Sequence, residues 1–184
     1  MLLLVSACTD FAESDEHVQS EMSGVYAAAL SHVGEEPATD LVYVVQPEFD
    51  QWEMYCGTRE SPDEELAAAV GQACEVFWST EEASDYRYTS TAVSEIREAL
   101  APITVEFVDE LADALEPAEE LLPPKRVKDD AALVIFGVPL KVDGKIYLPV
   151  ERNGSGGLHP SGGLVEASAS GSEWEITILI PWTA

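Results

Sequence analysis

The chain has 184 residues, 46% of them hydrophobic, with a mean hydropathy of −0.01, values that suit one folded domain with a tail and exclude wholesale disorder. Its charge is lopsided, with 35 Asp and Glu against 9 Lys and Arg and a formal net charge of −26. Such a surface repels phosphate backbones and anionic lipid headgroups, which excludes nucleic acid and electrostatic membrane docking and leaves cationic partners and divalent ions. The simpler reading of the charge is a solvated face that keeps the protein soluble.

The acidic excess is uneven. Residues 1–124 hold 28 acidic side chains and only Arg59, Arg87 and Arg97, whereas residues 125–184 hold 7 acidic and 6 basic ones. Two segments with different surfaces follow from this.

The chain opens Met1-Leu2-Leu3-Leu4-Val5-Ser6-Ala7-Cys8. Val5-Ser6-Ala7-Cys8 resembles the lipobox of bacterial lipoproteins, in which small residues precede a cysteine whose thiol carries the lipid. Thr9 to Glu16 is mostly polar and acidic, like a tether. A signal peptide also needs a basic start and roughly 7–15 apolar residues. Here there is no Lys or Arg before Cys8 and only a short apolar run, so the true start is expected upstream or trimmed away. Cys8 is thus the expected lipid attachment point, residues 1–16 a signal remnant and tether, and residues 17–184 one domain.

Two cysteines remain, Cys56 and Cys74. An even pair in an exported chain suggests a disulfide, worth about 3 kcal/mol for a loop of this length on the chain-entropy view. The alternative is two buried thiols, since Cys74 falls on the apolar face of an expected helix.

Residues 15–33 carry Val18, Met22, Val25, Tyr26, Ala29, Leu30 and Val33 at helical spacing, with Asp15, Glu16 and Glu21 early and His32 and Gly34 late. This predicts a helix with His32 at its end. Leu41–Val45 reads as a strand buried on both faces, and residues 47–60 as a loop. Ser61-Pro62-Asp63-Glu64 signals a helix start with Ser61 as the cap. Leu66, Ala69, Val70, Ala73, Cys74 and Phe77 supply that helix's inner face. A further helix is expected from Thr91 to Leu100, ended by Pro102.

Thr104–Val108 reads as a strand, Glu110–Leu115 as a short helix, and residues 116–130 as a surface connection broken by Pro117, Pro123 and Pro124. Ala132–Phe136 reads as a buried strand. Asp143-Gly144 marks a tight hairpin turn. Ile146–Val150 is a strand that Pro149 would place near an edge. Residues 153–163 form a glycine-rich connection, and a second hairpin pairs Leu164–Ser168 with Trp174–Ile180. Helices early and antiparallel strands late indicate an α+β fold, a mostly antiparallel sheet with helices packed on one face.

One ordered series of segments bears a family likeness. It runs Val25–Leu30, Leu41–Val45, Ile96–Leu100, Val105–Val108, Ile135-Phe136-Gly137 and Trp174–Thr177. It resembles small, uncharacterised secreted or lipid-anchored proteins of actinobacterial type, over about residues 20–180. The resemblance implies export and brings no catalytic residues.

Signals for chemistry are sparse. Ser155 and His159 share a glycine-rich loop that lacks the strand-turn-helix context of a nucleophile elbow. No helix follows Gly163 to present amides to a phosphate. His17, His32 and His159 are scattered, with no zinc-ligand spacing and no calcium-loop pattern, so no metal or cofactor is expected. Asp129-Asp130 and Glu119-Glu120 read as solvated pairs. Trp52 and Tyr55, with Trp78, Tyr86 and Tyr88, are a candidate aromatic binding surface; the alternative is that they pack over the sheet. The expectation is an exported, lipid-anchored, noncatalytic envelope module that binds a protein partner or small ligand. A small exported hydrolase without a recognisable motif is the alternative.

Overall fold

A computed structural model describes residues 22, 24–33, 39–57, 63–79, 86–116, 126–154, 161–171 and 173–183. Cys8, His17, Ser61, Pro62, residues 117–125 and the Ser155–His159 segment lie outside the described residues, and so do residues 15–21 and 23 of the expected first helix.

Among the described residues, six α-helices and seven strands follow in chain order. They are α1 (Val25–Leu30), β1 (Leu41–Glu48), a 3₁₀ turn at Phe49–Trp52, α2 (Glu53–Cys56), α3 (Glu64–Val70), α4 (Gln72–Ser79) and α5 (Ser90–Ala99). After these come β2 (Thr104–Val108), α6 (Leu111–Ala114), a second 3₁₀ turn at Lys128–Asp130, β3 (Ala132–Gly137), β4 (Leu140–Val142), β5 (Lys145–Asn153), β6 (Ser161–Ser170) and β7 (Glu173–Thr183). The class is α+β.

The strands form one mixed sheet in the order β2-β1-β3-β5-β6-β7, with β4 pairing β5 beyond the end of β3. β1 is parallel to both β2 and β3, and every other pairing is antiparallel. Parallel neighbours need long crossovers, and the segments carrying α2–α5 and α6 supply them. All six residues of β3 are buried.

Because alternate side chains leave a strand on opposite faces, the buried residues sort into two sides. On the first side, Val42, Val44, Val134, Phe136, Ile146, Leu148, Val150 and Val165 pack under α1 and α5. On the second, Tyr43, Val45, Leu133 and Ile135 meet α6 and the 127–131 segment, while Leu140, Leu164 and Tyr147 meet α2–α4. The expected helical layer is thus the α1–α5 pair, and the opposite face carries helices as well, α2–α4 and α6.

Helix α1 is too short to stand alone, and its ends are held from elsewhere. The Gly24 amide donates to Glu95 Oε2 of α5 at 2.6 Å. At the other end Arg152, only 7% exposed, donates through Nη1 to the Leu30 and Val33 carbonyls at 3.0 and 2.8 Å. A guanidinium at the negative end of a helix satisfies carbonyls that would otherwise lack partners. His32 closes the same end, its Nδ1 donating to the Ala28 carbonyl at 2.8 Å, as its position in sequence implied.

Several local expectations are corrected. Of the expected 47–60 loop, the described residues 47–57 are not a loop, because Trp52, Tyr55 and Cys56 fall one helical turn apart and bury together. Asp63 rather than Ser61 caps α3, its carboxylate accepting from the Leu66 amide at 3.0 Å. Gly71, at φ 54°, breaks the expected single helix into α3 and α4. Gly162 and Gly163 belong to β6, where Cβ atoms would run into Trp182 and Ile178. Pro149 lies in an internal strand, not at an edge. It is tolerated there because it stands beside the gap between β3 and β4, opposite Gly137.

Two substitutions test this packing. A Cβ on Gly137 would lie 2.6 Å from Pro149 Cγ, so Gly137→Ala is expected to destabilise by about 1–3 kcal/mol through overpacking. Arg152→Met leaves the end of α1 uncapped and is expected to cost about 1–3 kcal/mol. Urea unfolding of each variant beside the parent checks both; unchanged midpoints would contradict the packing described.

Candidate functional site

Cys56 and Cys74 form a disulfide that closes an 18-residue separation with a Cα–Cα distance of 5.5 Å. Both sulfurs sit in the cluster under α2–α4, at 0% and 1% exposure. The bridge staples α2 to α4 and so fixes a cap over the β4–β7 end of the second face.

The three aromatic residues expected to form a binding surface do not form one. Trp52 is 0% exposed and Tyr55 2%. Trp52 Nε1 donates to the Val138 carbonyl at 2.7 Å, and its ring stacks 6.1 Å from that of Phe77. Tyr55 accepts from Trp182 Nε1 at 3.1 Å. Trp78 is half-buried, and its Nε1 donates to the Gly57 carbonyl at 3.2 Å. Trp52 and Tyr55 tie the cap to the sheet and Trp78 ties α4 to the end of α2, each polar atom spent on an internal partner. Tyr88 is likewise core, donating to the Val45 carbonyl at 2.9 Å.

Two polar groupings lie at the surface instead. The first is where β1 ends. Glu48 is half-buried, and burial pushes its carboxyl above the ordinary range, with Asp50 and Glu151 adding repulsion against a contact from Gln51. Glu151 accepts from Asn153 Nδ2 at 2.9 Å. Burial also pushes Tyr55 to about 12, with Glu151 adding to the effect.

The second lines an open cleft of about 330 Å³ between the α3–α4 break and the β4–β5 turn. Glu166 of β6 stands opposite Tyr147 of β5 in register. Its Oε1 accepts from Lys145 Nζ at 2.7 Å and its Oε2 from the Tyr147 hydroxyl at 2.8 Å. Burial works against the Glu166 carboxylate, but these two donors outweigh it and hold its pKa below the usual range. Tyr147 is pushed to about 12 by burial and by Glu166, with Asp143 contributing. The group is therefore an ionised carboxylate held between an ammonium and a neutral phenol, with a second carboxylate close by.

Sequence reasoning missed both groupings. Lys145 and Tyr147 alternate on one face of β5, which is legible; their meeting with Glu166 depends on strand register, which is not. Among the described residues no group of three or more His, Cys, Asp and Glu side chains is placed to hold a metal ion. No described helix is long and apolar enough to cross a membrane. No protein-family model, curated protein or solved structure matches the chain.

Because the raised pKa of Glu48 favours its neutral form in the folded state, the stability this gives is present at acid pH and lost as pH rises through the folded value. Glu48→Gln removes that dependence. The variant is expected to exceed the parent in stability at pH 7 and to converge with it near pH 4, as read from urea midpoints at the two values. A constant offset would contradict the assignment.

Proposed function

We propose that this chain is an exported, acidic binding or accessory module of the cell envelope, held to the membrane through a lipid on Cys8. The observation that carries the reading is the buried Cys56–Cys74 disulfide. Disulfides persist in oxidising compartments and are rare in reducing ones, and a bridge at the centre of a packed cluster is structural. The Val5-Ser6-Ala7-Cys8 sequence and the acidic segment behind it supply the tether. The net charge of −26 fits a domain that stands off an anionic bilayer while its anchor remains inserted.

A single acyl chain gives marginal membrane residence, so stable anchoring needs two or three. The protein is therefore expected in the membrane fraction as a diacyl or triacyl species whose chain starts at Cys8. Expression with the native upstream region, followed by intact mass before and after reduction, checks this. The expected result is the acyl increment together with a gain of two protons on reduction. A soluble, unmodified chain with free thiols would overturn both the anchor and the export.

A further inference from the structure

The cleft between the α3–α4 break and the β4–β5 turn has the composition of a small ligand site. One wall is the turn at Gly71, with φ 54° and open space where a Cβ would stand. The other is the Asp143-Gly144 turn, with φ 50° and 80°. Tyr147 and Glu166 line the space between these turns, with Val70, Val142 and Leu179 as its apolar part.

The charges in it do not cancel. Lys145 is neutralised by Glu166. Asp143 lines the same cleft, and among the described residues it forms no ion pair. Two carboxylates against one ammonium give the lining of the cleft a net negative charge. An anion would face that charge and the negative field of the whole chain, whereas a cation would be drawn in by both.

The remaining polar capacity is also directional. An ammonium has three donors, and Lys145 spends one on Glu166; each carboxylate oxygen of Glu166 keeps a further lone pair. Hydroxyl groups, which both donate and accept, match such a pair. The volume of about 330 Å³ lies at the low end of small-molecule pockets, and fits one ring rather than a long chain.

We propose that this cleft binds a small hydroxylated primary amine of amino-sugar type, with Asp143 receiving the ammonium group and Lys145 and Glu166 engaging its hydroxyls. The proposal rests on the reading of the chain as a binding module. Its test is made on the unlipidated, oxidised full chain in solution, so failure of the Cys8 anchor and failure of this site are separate results.

Backbone amide shifts are followed in a titration with glucosamine at pH 6.5, and in a second with glucose at equal ionic strength. Saturable shifts are expected at Gly71, Asp143, Gly144 and Glu166 with glucosamine, with glucose at least ~10-fold weaker, the least a lost charge-assisted contact implies. Asp143→Asn keeps a residue suited to a left-handed turn, and is expected to reduce glucosamine affinity by a similar ~10-fold while leaving the rest of the spectrum in place. Glu166→Gln is expected to weaken both the sugar and the amine. Equal affinity for glucose, shifts that scatter over the acidic surface without saturating, or an Asp143→Asn variant that binds normally would each overturn the proposal.

Discussion

The structure depends on one strand being dry on both sides. β3 buries all six of its residues, so each face of the sheet must be covered where β3 runs. On one face α1 and α5 do this; on the other, α6 and the 127–131 segment do. β3 is also where the sheet changes character, pairing in parallel with β1 and antiparallel with β5. Parallel pairing forces the chain to cross over the sheet, and the crossovers supply the covering helices other than α1, which precedes β1. The acidic excess in residues 1–124 has a structural counterpart, since that segment supplies the six described α-helices, whereas β3–β7 come from the nearly neutral remainder.

Covering the wider end of the second face takes more than hydrophobic contact. Helices α2, α3 and α4 have four, seven and eight residues, lengths that do not persist alone in water. The Cys56–Cys74 bridge joins the first of these to the last, and Trp52, Trp78 and Trp182 hydrogen-bond them to neighbouring chain. The surface groupings sit around this cap: the Glu48 region beside the chain entering it, and the Lys145 cleft under its central break. The ion pairs themselves add little to stability, because exposed pairs are worth about 0–1 kcal/mol. What Lys145 and Tyr147 provide is a fixed carboxylate.

Features governed by neighbours in sequence were legible. The Asp143-Gly144 turn, the buried run at 132–136, the alternation of Trp174, Ile176 and Ile178, and the α+β class all follow from short-range pattern. So did the pairing of two cysteines, which rests on counting. Features governed by neighbours in space were not. Pro149 carries an edge signal that is cancelled only by a strand break across the sheet. Trp52 and Tyr55 look like an exposed pair in a loop until the sheet edge they cover is known. The Lys145–Glu166–Tyr147 contact requires the β5–β6 register, and Arg152 capping α1 spans more than 100 positions of chain.

The cap is a separately stapled layer over a sheet whose core is organised by β3. Hydrogen exchange on the oxidised protein and on the Cys56→Ser/Cys74→Ser variant tests it directly. Slowest exchange is expected at residues 132–136 in both proteins, with the amides of residues 53–56 and 64–79 accelerating about 100-fold in the variant, as loss of about 3 kcal/mol confined to the cap requires. Equal acceleration of cap and β3, or a cap indifferent to the loss of its disulfide, would contradict the account.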